Sequence, residues 1–321
     1  MNQRHQNSAV ALFKKGGSVG TILSAIILMS IIWGVLSPYY FTPSNIRNIG
    51  TYVAANGIMA AGLTITLVMG GLDLSQISLM ALCGMVAGIG YQSGMSGPLL
   101  LLIAACVGIL GGAFNGMLIT FMGINPFIAT LGTQLVYRGL AFIITNGHYI
   151  TVHGPMIQTI GTGSFLQVPI MFWIMLVVYL LIGFVMKYTL YGRDIYSIGG
   201  NEQAAHLCGI AVPTVKMISY TISGLSAGIA AILYIAQGSV ALNNAGTGSE
   251  MDVMTAAILG GLSLTGGKGT VLNTFMGVVL LSVIANGMSL LSIGSYYQML
   301  IKGLILIIAV FLDVLRETRQ Q

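Results

Sequence analysis

Charge is what this sequence has least of. Only 6% of its 321 residues are Asp, Glu, Lys or Arg, against about a quarter in a soluble domain. So few charges cannot make a water-facing surface, and with 56% of residues hydrophobic the main solvent must be lipid. The seven acids and four histidines are spread over loops and ends. No nucleophile, base and orienter fall together, so no enzyme activity is expected. Cysteine is scarce too. Cys83, Cys106 and Cys208 are odd in number and show no metal-like spacing, which excludes a zinc site and a disulfide framework and leaves them as reduced small hydrophobes. The net charge of +5 does not indicate a nucleic-acid partner, because the 12 basic residues are scattered singly apart from Lys14 with Lys15.

What is present is a series of long apolar runs. At roughly 20 residues per span the chain holds about ten spans and no sizeable soluble domain. The first run, 20–36, follows Lys14 and Lys15 but is too long for a signal-peptide core. Ser37-Pro38-Tyr39-Tyr40 is no small-residue cleavage site, so the run reads as an uncleaved span. Runs bounded by Gly, Pro, Asn or charge predict spans near 19–37, 52–70, 74–91, 98–122, 126–144, 169–187, 214–236, 253–264, 270–291 and 297–314. The eighth is too short to cross at about 1.5 Å per residue and reads as a half-helix or re-entrant segment. The expected fold is therefore all-α. It is a polytopic membrane protein of about ten transmembrane or half-membrane helices, with one membrane domain over 19–314 between tails 1–18 and 315–321.

Alternate loops fix the expected orientation, since cytoplasmic loops carry the excess of Lys and Arg. With the N-terminus inside, Arg4, Lys14, Lys15, Lys187, Arg193, Lys216, Lys268, Arg316 and Arg319 fall on the cytoplasmic side, Arg47 falls outside, and Arg138 and Lys302 lie within spans. Both termini are then cytoplasmic. Segment 145–169 has no Lys or Arg and reads as an external loop, its His148 and His153 as plain loop residues.

Gly266-Gly267-Lys268-Gly269-Thr270 invites a phosphate-loop reading and fails it, because Gly269 follows the lysine and Leu262 stands where the first glycine belongs. It reads as a glycine turn. Gly70-Gly71-Leu72-Asp73-Leu74-Ser75 and Gly260-Gly261-Leu262-Ser263-Leu264-Thr265 form an internal echo, a pattern that transporter duplications produce.

The longest cytoplasmic loop, 188–213, is the most informative. Asn201 suits an N-cap, Glu202 suits the positive end of a helix dipole, Ala204 and Ala205 favour helix, and Gly209 with Pro213 supplies a stop. Together with Gly200 these residues outline a helix of about two turns, too short to stand alone in water, so it must pack on its own bundle or on a partner. Within the spans, Asp73 is placed to cap the next helix with Gln76 reaching back, Asn125-Pro126 makes a similar start, and Asp73 is the one acid placed along a membrane path. Thr130, Gln134 and Arg138 recur every four residues as a polar stripe that must face other helices or a water-filled path. Gly108, Gly112 and Gly116, like Gly224 and Gly228, mark close helix packing within the chain or across a dimer.

From about residue 41 to 313 the sequence resembles the permease subunits of bacterial ABC importers for ribose and related monosaccharides. The resemblance rests on Asn56-Gly57-Ile58-Met59-Ala60 leading to Gly71-Leu72-Asp73-Leu74-Ser75, on Pro126-Phe127-Ile128-Ala129-Thr130-Leu131 with Arg138-Gly139 and Thr145-Asn146-Gly147, and on Gly192-Arg193 with Gly199-Gly200-Asn201-Glu202 and Ala204-Ala205. Leu259-Gly260-Gly261, Gly266-Gly267-Lys268-Gly269-Thr270 and Tyr296-Tyr297-Gln298 with Lys302-Gly303 complete it. It implies a multi-pass subunit of the bacterial inner membrane that pairs with a second permease copy or close relative. It also implies a cytoplasmic ATPase that uses ATP and Mg, an external sugar-binding protein, and no cofactor on this chain. In that reading Gly200, Asn201, Glu202, Ala204, Ala205 and Gly209 couple to the ATPase, and Asn56, Asp73, Gln76, Thr130, Gln134 and Arg138 are candidates for the path. Gln76-Ile77 stands where the family commonly has Val-Gly, and Gly261-Leu262-Ser263 where Gly-Gly-Thr-Ser is usual. The competing readings are a secondary transporter driven by an ion gradient and, behind it, a channel.

Overall fold

A computed structural model describes residues 17–318, with side chains from 19 to 311. Arg4, Lys14, Lys15, Arg319, the side chain of Arg316 and most of the tails 1–18 and 315–321 lie outside the described residues. In chain order the helices are α1 (Gly17–Leu36), α2 (Pro43–Val68), α3 (Gln76–Gln92), α4 (Gly97–Thr120), α5 (Pro126–Ile143), α6 (Pro155–Thr162), α7 (Ile170–Tyr188), α8 (Leu190–Gly200), α9 (Glu202–Leu207), α10 (Val212–Gly238), α11 (Glu250–Leu259), α12 (Val271–Leu290) and α13 (Ser295–Thr318). Two-residue strands β1 (Ile150–Thr151) and β4 (Val240–Ala241) pair antiparallel, as do β2 (Ser164–Phe165) and β3 (Val168–Pro169). The chain is an all-α, polytopic membrane protein. Helices α1, α2, α4, α7, α10 and α12 are long and apolar enough to cross a membrane, and α3 and residues 295–311 of α13 are shorter apolar helices.

All ten apolar runs form helices. α2 begins nine residues before the apolar run suggests, because Thr42 accepts a hydrogen bond from Asn45 N and Pro43 opens the first turn. The short eighth run is α11, of ten residues. Segment 145–169 is more than a loop. It holds β1, the β2–β3 hairpin and α6, whose Ile157 and Ile160 are buried. Of the cysteines only Cys83 is buried, while Cys106 and Cys208 are exposed.

Helices α2, α3 and α10 fill the centre, with α3 buried along most of its length. α4 lies on α10 with backbone against backbone. A Cβ added to Gly224 would stand 2.7 Å from Gly112 Cα, and Gly108 and Gly228 belong to the same seam. The four-residue glycine spacing is thus a packing seam within one chain.

α2 and α11 both end in a Schellman turn, which needs a residue with positive φ at the position after the cap. Gly70 (φ +88°) and Gly261 (φ +86°) fill it. Gly70 N donates to Leu67 O and Gly71 N to Thr66 O, as Gly261 N does to Ile258 O and Leu262 N to Ala257 O. The internal echo is therefore a shared cap, displaced by one residue from the sequence match. The two turns also touch, since Gly267 N donates to Val68 O at 2.8 Å.

Filling the seam should be costly. Gly224→Val is expected to destabilise the bundle by on the order of 3 kcal/mol, read as a thermal midpoint in detergent lower by several degrees. Gly139→Ala, at a helical glycine with open space around it, should leave the midpoint unchanged or higher.

Candidate functional site

The turn after α2 is tied down by a buried carboxylate. Asp73 Oδ1 accepts from Ser75 N at 3.0 Å and from Ser75 Oγ at 2.7 Å, and Asp73 Oδ2 accepts from Ser223 Oγ at 2.6 Å. Each serine also accepts from an amide, Ser75 from Asn115 Nδ2 and Ser223 from Gln76 Nε2, both at 2.7 Å. Tyr137 donates to Gly111 O at 2.8 Å and lies 3.4 Å from Asn115 Oδ1. The knot joins the 69–75 turn to α3, α4, α5 and α10. The expected capping box does not form. Asp73 makes a local turn two residues long, and Gln76 reaches α10 instead of back to Asp73, because buried Ser223 needs a donor.

The polar stripe of α5 faces protein. Thr130 donates to Pro126 O at 2.8 Å and Leu72 O at 3.2 Å, and Gln134 Nε2 donates to Glu250 Oε1 at 3.5 Å. Arg138 donates to the carbonyls of Asn243 and Ala245, at 2.9 and 3.0 Å, and its second terminal nitrogen lies 3.6 Å from Glu250 Oε1. A second ion pair, Lys302 to Asp252 at 2.6 Å, ties α13 to α11. Asp73 is therefore not the only buried acid. Asp252 is buried as well and Glu250 is partly buried, and each is held by a cation. Asn56, on the partly buried side of α2, lines a small cleft with Tyr52, Asp252, Ser282 and Lys302. Asp73, Gln76 and Glu250 border a second cleft. Thus Gln134 and Arg138 meet at Glu250, Asp73 and Gln76 meet at Ser223, and Asn56 stands apart beside Asp252.

Asn201 caps α9 as its sequence suggests, accepting from Ala204 N at 2.9 Å, and Gly209 ends it with φ +85°. Asn125 likewise accepts from Phe127 N at 3.0 Å. Glu202 pairs with Lys216 at 2.6 Å, on a side chain that is 55% exposed, while Ala205 is buried. Gln203, His206 and Leu207 face outward. α9 is preceded by α8, which was not expected, and α8 is pinned to the end of α2 and to the glycine turn that follows α11. Tyr196 Oη donates to Gly269 O at 2.8 Å, and a Cβ on Gly199 would collide with Val68 O and Gly267 N. Burial raises the Tyr196 hydroxyl above its ordinary pKa and pushes that of Tyr191, bonded to Ser219 at 2.8 Å, to about 12. Both stay neutral donors at physiological pH.

The family model described as "Branched-chain amino acid transport system / permease component" matches residues 45–310. The chain belongs to that permease family. It is 37% identical to the ribose import permease protein RbsC of Escherichia coli K12, over 91% of this chain and 92% of that one. To RbsC of Bacillus subtilis it is 38% identical, over 92% of each. It is 32% identical to the L-arabinose ABC transporter permease protein AraH of Azospirillum brasilense, over 98% and 95%. No solved structure matches it.

Sequence reasoning about this permease overlooked Ser223, Asn115, Glu250 and Asp252. An acid just before a short apolar run was the available signal for the last two.

The Arg138 pair offers a direct check. Arg138→Gln leaves the partly buried Glu250 without its cation and should destabilise the permease by roughly 1–3 kcal/mol. Arg138→Gln with Glu250→Gln should recover most of that loss in a detergent unfolding cycle.

Proposed function

We propose that this permease forms half of the membrane passage of an ATP-driven importer for a small neutral sugar of the pentose class. The carrying observation is the 37–38% identity, across nine tenths of both chains, to permeases named for ribose import. The permease named for L-arabinose adds a second pentose. The family's own description names branched-chain amino acids, so membership alone leaves the cargo open and the relatives decide it.

The charge distribution supports a bacterial inner-membrane orientation with α9 on the cytoplasmic side. Among the described residues, Lys187, Arg193, Lys216 and Lys268 lie in helix ends, α8 and a turn at the α9 end, whereas Arg47 sits at the opposite end beside Gln167. α9 is then the coupling helix. Gly200 and Gly209 bound it, Asn201 caps it, Glu202 anchors it to α10, and Ala204 and Ala205 give it helix and a buried face. The proposed assembly adds a second permease copy or close relative, a cytoplasmic ATPase that binds ATP and Mg, and an external binding protein that delivers the sugar. Closure of the ATPases pushes α9. The push passes through α8 to the joined ends of α2 and α11, and the two permeases rock to expose the path on the other side. Asn56, Asp73, Gln76, Thr130, Gln134 and Arg138 belong to the elements that move. An ion-driven carrier would need acids standing open along its path, but Glu250 and Asp252 each face a cation and Asp73 is bonded to Ser75 and Ser223.

Reconstituted with its ATPase and binding protein, the permease should take up a labelled pentose only when ATP is supplied. Uptake driven by a proton or sodium gradient without the ATPase would overturn this reading. Replacing Asn201, Glu202 and Ala205 together should abolish uptake while the permease stays folded in the membrane, and uptake at the normal rate would remove α9 from the coupling role.

A further inference from the structure

A large hollow lies in neither candidate site. A groove of about 960 Å³ runs on the outside of the bundle between α7, α8 and the start of α12. Its walls along the membrane are apolar, with Leu180, Phe184 and Leu272 all exposed. Gly183 keeps the floor low, since the nearest atom to a Cβ built there is Val271 Cγ1 at 4.0 Å. At the α9 end the character changes. Lys187, in the last turn of α7, and Arg193, on α8, border the mouth, with the hydroxyl-bearing Tyr188, Tyr196 and Thr270 beside them. Thr270 is the N-cap of α12 and brings the positive end of that helix to the same place.

We infer that this groove is a binding site for an anionic phospholipid, with its phosphate against Lys187 and Arg193 and an acyl chain along Leu180, Phe184 and Leu272. Both walls belong to helices long and apolar enough to cross the membrane, so the hollow opens on lipid, and basic pockets between such helices at the membrane surface suit anionic headgroups. Lys187 is held at that depth, its Nζ 5.2 Å from the centre of the Tyr188 ring. Among the described residues, no acid lines the groove. Among the described residues Glu202, Glu250 and Asp252 are paired with Lys216, Arg138 and Lys302, and Asp73 is bonded inside the bundle. That leaves Asp194, on the same helix as Arg193 but outside the groove lining. A second copy of this chain would therefore bring a largely apolar face to the two cations, whereas a lipid phosphate brings the missing charge. The inference does not depend on the cargo, and the proposed orientation sets only the leaflet.

The intact complex of permease and ATPase, purified in neutral detergent, would be offered phosphatidylglycerol or phosphatidylcholine with identical acyl chains, and retained lipid would be counted by native mass spectrometry. Wild type should retain phosphatidylglycerol at least tenfold over phosphatidylcholine. Lys187→Gln with Arg193→Gln should lose that preference, Lys187→Arg should keep it, and Gly183→Leu, which fills the groove without altering charge, should cut retention by a similar factor. Equal retention of the two lipids by wild type, or unchanged retention in either the Gln pair or Gly183→Leu, overturns the proposal. So does loss of ATPase or of a second permease copy from Gly183→Leu with lipid retention intact, which would make the groove a protein interface.

Discussion

The hydrogen bond from Gly267 N to Val68 O joins the end of α2 to the glycine turn that follows α11. A helix leaves its last carbonyls unpaired, and Val68 is fully buried, where an unpaired carbonyl is costly. α2 and α11 each bond two carbonyls in a Schellman turn, and Gly267 takes one more, from α2. The bond forms only because the backbones of 70, 199, 266 and 267 approach without side chains. A Cβ on Gly266 would stand 2.8 Å from Gly70 Cα, and one on Gly199 would strike Val68 O. α8 is thereby pressed onto the end of α2 and the glycine turn that follows α11, with Tyr196 bonded to Gly269 O as a second tie. A displacement of α9 and α8 cannot be absorbed by a soft loop.

Where such a displacement goes is set by α11. Its C-terminal end is the Gly261 turn beside α8, and its first turn carries Glu250 and Asp252, about 15 Å away at 1.5 Å per residue. Both acids suit the positive end of the helix dipole, and both are held by cations on other helices, Arg138 on α5 and Lys302 on α13. α11 is therefore a short strut between the Gly261 turn and two ion pairs. The Asp73 knot does the corresponding work for α2, fastening its turn to α4, α5 and α10, so the two turns move as one body.

The helices were legible because lipid imposes a simple code of apolar length, and the caps at Asn125, Asn201 and Gly209 were legible because capping is local. α8 was not. Its run from Leu190 to Gly200 mixes glycine with polar residues, and only packing reveals Ile195 and Ile198 as its buried face. The Asp73 to Gln76 spacing looked like a local box, but the buried hydroxyl that claims Gln76 is 147 residues away. Arg138 and Glu250 are likewise distant, as are Lys302 and Asp252, so no spacing rule joins them. The glycine echo was visible, though its one-residue offset emerged only from the cap geometry.

The two departures from the family's usual pattern can now be given physical roles. Leu262 follows the Gly261 turn, is fully buried, and packs under Gly269, whose φ of +118° no larger residue would adopt easily. It is a plug beneath the turn that meets α8. Gln76 is 2% exposed, and its amide nitrogen is committed to Ser223 Oγ. That bond fills the acceptor side of the hydroxyl and leaves its proton for Asp73 Oδ2, so the amide and the carboxylate hold one serine between them. Without the donor at position 76 the buried hydroxyl would lose half its satisfaction, at a cost of roughly 1–3 kcal/mol. A side chain so engaged is a positioning group for Asp73. The departure at Gln76 therefore bears on how firmly the turn after α2 is held.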